Sequence, residues 1–173
     1  MNKRAFCDVL SRRLGVRRGR LTSLVQRLSD SGQIRTNHSR RPDFDLIPVE
    51  MARMLLVGLV DNGLAQAAST VERYGQLRGR SSTLEQSIGW ALARPESIVP
   101  MRSGIEIHTG DQPYAVFTVV GADGATTNVF GDIAEPENVD RLVTVSGAAL
   151  RGIAMEVSGC TPGEVDALIR SVN

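Results

Sequence analysis

The chain has 173 residues, 42% of them hydrophobic, so it is long enough for one globular domain or two small ones and too apolar to be a disordered tail. Its net charge of +1 hides an asymmetry: residues 1–41 carry 11 Lys+Arg against 2 Asp+Glu, a net of +9, and residues 42–173 carry 9 against 17, a net of −8. No run of 18 apolar residues suggests a membrane span, no signal-peptide stretch opens the chain, and Cys7 and Cys160 stand alone, so an exported, disulfide-framed or zinc-clustered protein is not expected. Reduced thiols in a cytoplasmic setting are the expectation.

In chain order, the spacing of Phe6, Val9, Leu10 and Leu14 predicts a helix over 3–14, stopped by Gly15. Leu21, Leu24, Val25 and Leu28 recur at i, i+3, i+4 and i+7 and predict a second helix over about 18–31, ended by Gly32. Two short helices across a glycine turn suggest a helix-turn-helix. Gln33–Thr36 and Phe44–Ile47 read as short strands around the loop Asn37-His38-Ser39-Arg40-Arg41-Pro42-Asp43. Pro48 suits the first turn of a largely buried helix over about 48–61. A helix over 64–78 is predicted to pack through Ala65, Ala68, Val71 and Leu77. Ser82 and Glu85 have capping-box spacing ahead of a helix over 83–94.

Pro95, Pro100 and Gly104 then mark a boundary, dividing the chain into 1–95 and 104–173. Beyond it, strands are predicted at Ile105–Thr109, Tyr114–Val120, Thr126–Phe130 and Leu142–Val145, with Ala122-Asp123-Gly124 as a tight turn and 131–140 as an acidic loop. Ser146 is placed to cap a helix over 147–158. Thr161 and Glu164 are placed to cap a last helix ending near 172. The fold class expected is therefore α+β: N-terminal helices with a winged helix-turn-helix, then a small antiparallel β-rich region with C-terminal helices.

If the second helix buries its leucines, Ser23, Gln26, Arg27 and Asp30 face outward and Arg20 and Thr22 lie on the flanks. Arg can fork onto guanine, Gln onto adenine, and Ser or Thr onto bases or phosphates. Arg12, Arg13, Arg17 and Arg18 gather at the turn, within reach of backbone phosphates, and Arg35, Asn37, His38, Arg40 and Arg41 form a second basic element. These residues are the candidate DNA-binding set. No catalytic constellation, cofactor motif or metal set is recognised: His108 and Asp111 have no nucleophile placed with them, Gly121–Gly124 reads as a turn, and Met51, Met54 and Leu55 read as core.

The stretch from Leu14-Gly15-Val16 through Val25-Gln26-Arg27-Leu28, Gly32-Gln33-Ile34 and Leu46-Ile47-Pro48 resembles the winged helix-turn-helix of MarR-type transcription regulators. The resemblance covers about residues 5–55. It implies a fold that binds double-stranded DNA with its second helix in a groove and its wing on the backbone. The reading that follows is a sequence-selective regulator, not an enzyme, that acts as a homodimer, with residues 104–173 serving self-association or a protein partner. A phage-type small terminase subunit and a protein-binding inhibitor or adaptor stand as alternatives.

Overall fold

The computed structural model describes residues 1–36, 44–121, 124–133 and 141–172. Helix α1 spans Lys3–Leu14; the Asn2 side chain caps it by accepting from the Ala5 amide, and Gly15, at φ 70°, turns the chain out of it. Helix α2, Arg18–Asp30, buries Leu21, Leu24, Val25 and Leu28, the stripe that the sequence spacing predicts. Helix α3, Pro48–Val60, runs through the centre of the helical region with Met54, Leu55, Leu56 and Val57 fully buried. Two glycines set its contacts. A Cβ on Gly58 would lie 2.8 Å from Leu21 Cδ2 of α2, and a Cβ on Gly89 would lie 2.9 Å from the Pro48 carbonyl.

Residues 33–36 and 44–47 are not strands, contrary to the sequence expectation. Their backbone donors are taken by helix ends instead of by each other. The Gln33 and Ile34 amides both donate to Leu28 O, the Arg35 amide donates to Glu50 Oε1 at 2.9 Å, and the Leu46 amide donates to Met1 O at 3.0 Å. An amide already paired in this way cannot serve a hairpin ladder. The intervening 37–43 lie outside the described residues.

Helix α4 is Ala67–Gly75, preceded by a tight 3₁₀ turn at Leu64–Gln66. That turn shifts the helical phase, so α4 packs through Ala67, Thr70, Val71 and Tyr74, and of the four predicted positions only Val71 is buried. Helix α5, Leu84–Leu92, is capped one residue later than the sequence suggests: Thr83 and Gln86 form the capping box. Glu85 is thereby freed to turn inward, where it meets Arg53 of α3 at 2.8 Å.

After a 3₁₀ turn at Pro95–Ser97, four strands form one antiparallel sheet: β1 Gly104–Thr109, β2 Tyr114–Gly121, β3 Gly124–Phe130 and β4 Arg141–Ser146, in the order β3-β2-β1-β4. Ala122, Asp123 and residues 134–140, on which the predicted turn and most of the predicted acidic loop fall, lie outside the described residues. Ser146 caps α6, Gly147–Val157, as predicted, and Thr161 and Glu164 exchange hydrogen bonds ahead of α7, Pro162–Val172. The chain is thus α+β, with N-terminal helices, a small antiparallel sheet and C-terminal helices. Helix α6 returns to pack on α1, and one cluster of buried apolar side chains runs from Phe6 to Ala154, across the 95–104 segment. Among the described residues no helix is long and apolar enough to cross a membrane.

Candidate nucleic-acid interface

The inward stripe of α2 leaves Thr22, Ser23, Gln26, Arg27 and Asp30 exposed. Their hydrogen bonds stay within the helix. Thr22 Oγ1 donates to Arg18 O and Ser23 Oγ to Gly19 O, each at 3.0 Å; Gln26 donates to Asp30 at 2.7 Å, and Arg27 stands 4.0 Å from Asp30. Local bonds of this kind exchange readily for an incoming partner, because breaking them leaves nothing buried unpaired.

Beside this face runs a groove of about 300 Å³ between α1 and α2, with Lys3, Arg4 and Cys7 on one wall and Arg18, Thr22 and Gln26 on the other. Lys3 Nζ bonds Ser29 Oγ and Arg35 O at 3.3 Å and lies 5.9 Å from the Phe44 ring. Arg18 pairs with Asp8 across a surface where both side chains are about half exposed. Arg4 and Arg17 are exposed. Burial, and then the charge of Asp8, pushes the Cys7 thiol up to about 11, so it is a packed neutral group at neutral pH.

Four of the arginines in the candidate DNA-binding set pair with acids elsewhere in the chain. Arg13 is wedged between Glu156 of α6 and Asp166 of α7 with a side chain only 10% exposed, and Arg12 shares the same Glu156. Arg20 forks onto Asp61 through bonds of 2.6 and 2.8 Å. Arg35 forks onto Glu50 of α3 and stacks over Phe44. Burial alone would raise the Glu50 carboxyl, but the Arg35 guanidinium, the Arg35 amide and the Ile47 amide outweigh it and hold the group down at about 2. Each of these arginines answers an acid from beyond residue 41, so among the described residues four cations of the basic block are matched within the protein.

Arg17, Arg18, Thr22, Ser23, Gln26 and Arg27 thus lie together on one exposed surface. Asn37, His38, Arg40 and Arg41 lie outside the described residues. Sequence reasoning missed Lys3 and Arg4. The signal available was their position one turn before Cys7 on the helix that flanks α2, with no acid among the first seven residues.

No protein-family model, curated protein or solved structure was found to match the chain. Among the described residues no group of three His, Cys, Asp or Glu could hold a metal ion. His108 stacks on Tyr114 with ring centroids 4.0 Å apart and stands 3.9 Å from Glu106, while Asp111 offers its carbonyl to Arg73 at 3.0 Å. His108 is therefore held as a packing ring on the sheet.

Proposed function

We propose that this protein binds double-stranded DNA in a sequence-selective manner, with α2 laid along the major groove and the cations of the α1–α2 groove on the adjacent backbone. The observation that carries the reading is the division among the polar side chains of residues 1–36. Among the described residues, Thr22, Ser23, Gln26 and Arg27 on the outer face of α2 bond within their own helix, whereas Arg12, Arg13, Arg20 and Arg35 are braced to acids elsewhere. A surface left with Gln, Arg, Ser and Thr at helical spacing, and flanked by Lys3, Arg4, Arg17 and Arg18, matches the base-reading and phosphate-reading chemistry of a recognition helix. The functional role in this reading is a transcription regulator that binds DNA through its N-terminal helices, acting as a homodimer. A two-fold pair would place two α2 helices on half-sites about one helical turn apart.

The test is selection of bound fragments from random duplex DNA by the purified protein, followed by titration of the selected site at several salt concentrations. The expected result is an enriched sequence whose preference relaxes by about 1–3 kcal/mol at one position in Gln26→Ala. Absence of duplex binding at low salt overturns the proposal. A ring of many subunits in solution would replace the regulator with a DNA-packaging role on the same binding surface.

A further inference from the structure

The helix-facing side of the sheet is not fully covered. Where β2 and β3 run past α5, a half-open cleft of about 450 Å³ remains, floored by Phe117 and Val119 and walled by Trp90. That volume falls in the range of small-molecule sites. Phe117 is buried, and Trp90 is 47% exposed, an unusual state for the largest apolar side chain. Arg94 stacks on the indole at 4.7 Å and steadies its plane.

The polar groups of the cleft narrow its chemistry. None of the ten residues lining it is ionisable. The Ser82 and Ser87 hydroxyls bond each other at 2.7 Å, Ser97 Oγ donates to Arg94 O at 2.8 Å, and the Gln86 carbonyl oxygen accepts from the Thr83 amide at 3.0 Å. The half-buried Asn128 carboxamide has no hydrogen-bond partner among the described residues. A charged ligand would find no counter-charge on these walls. A peptide would bring a row of backbone donors and acceptors, more than the Asn128 carboxamide, the Gln86 amide nitrogen and the Thr126 hydroxyl could pair.

We infer that this cleft is a binding site for a neutral small molecule with an apolar ring body and one hydrogen-bonding head. The ring lies against Trp90, Phe117 and Val119, and the head meets the Asn128 carboxamide. The site is separate from the α2 surface and does not depend on DNA binding.

Trp90 is the sole tryptophan of the chain, so its emission reports on this cleft alone. The experiment titrates the full chain with N-phenyl-1-naphthylamine, a neutral three-ring diarylamine fluorophore carrying one N–H. The expected result is saturable one-to-one quenching of Trp90 with energy transfer to the probe. Asn128→Ala weakens binding about five- to tenfold through loss of one hydrogen bond, and Ser87→Phe, which fills the cleft, abolishes it. No saturable quenching in the folded native chain overturns the inference, as does the same affinity in Asn128→Ala and folded Ser87→Phe. Trp90 emission that shifts with protein concentration and not with probe assigns the cleft to a second copy of the chain and overturns it equally.

Discussion

Glu156 gathers more of this fold than any acid near it in sequence. Its side chain is 3% exposed, and its two oxygens take Arg12 and Arg13 of α1, so a carboxylate on α6 fixes how the C-terminal helices seat on the first helix. A buried carboxylate in this position is tolerated only because both oxygens are paired. Glu156→Ala would leave Arg13 buried beside a missing partner, with Asp166 to hold it. The expected cost is about 3 kcal/mol, the low end for breaking a buried pair, read as a lower urea midpoint with an unchanged slope. Glu156→Gln keeps an acceptor and is expected to lose less. None of this was visible in sequence, because Arg13 and Glu156 are 143 positions apart and an arginine on a helix reads the same whether it meets solvent, phosphate or a distant acid. Periodicity reports which face of a helix is polar, and the polar partner comes only with tertiary packing.

Periodicity was a sound guide to elements where one apolar stripe persists over a full helix. The α2 stripe is an example: Leu21, Leu24, Val25 and Leu28 are all buried as their spacing requires. It was partial at α4, which follows a 3₁₀ turn at Leu64–Gln66 and ends at Gly75: Ala67, Thr70, Val71 and Tyr74 are buried, and Leu77, beyond the helix, packs partly buried against the core. It failed at 33–36 and 44–47, whose alternation of apolar and polar residues reflects attachment to α1, α2 and α3 and not strand pairing. Contacts between elements give two opposite expectations for glycine. At Gly89 an added methyl meets the backbone of Pro48, which cannot rotate away, so Gly89→Ala should destabilise by about 1–3 kcal/mol by forcing α5 off α3. At Gly19, in the first turn of α2, nothing lies within 4 Å, and Gly19→Ala should raise stability by about 0.5–1 kcal/mol through helix propensity. Thermal unfolding of the two variants side by side checks both signs. The start of α3 adds an acid-sensitive joint. Glu50 has a folded-state pKa depressed to about 2 from its ordinary 4.5, so its contribution is fully present above about pH 4.5 and declines as the pH falls toward 2. Denaturation midpoints followed across that window should fall less steeply in Glu50→Gln than in the native chain.

At the scale of the whole molecule, the opposed charges of the two parts of the chain do two jobs that composition cannot separate. Four arginines of the basic block are matched to Glu50, Asp61, Glu156 and Asp166 and tie α1, α2 and the segment after α2 to the two ends of α3, to α6 and to α7. Arg4, Arg17, Arg18 and Arg27 are exposed on or beside α2. A charge that braces the fold and a charge that meets a phosphate respond oppositely to removal. Each lost phosphate contact flattens the dependence of log K on log salt by about 0.9, because one set of condensed counterions is no longer released. Arg4→Ala and Arg17→Ala are therefore expected to flatten the slope by about that amount each and to leave the melting temperature in place. Arg13→Ala and Arg20→Ala are expected to lower the melting temperature and, at temperatures where the protein stays folded, to leave the slope unchanged. Duplex titrations over a salt series, paired with melting curves of the same four variants, distinguish the two classes. If Arg13→Ala or Arg20→Ala flattened the slope without loss of stability, the basic block would be acting as one undivided phosphate-binding surface, and the bonds to Asp61, Glu156 and Asp166 would have to open when DNA arrives.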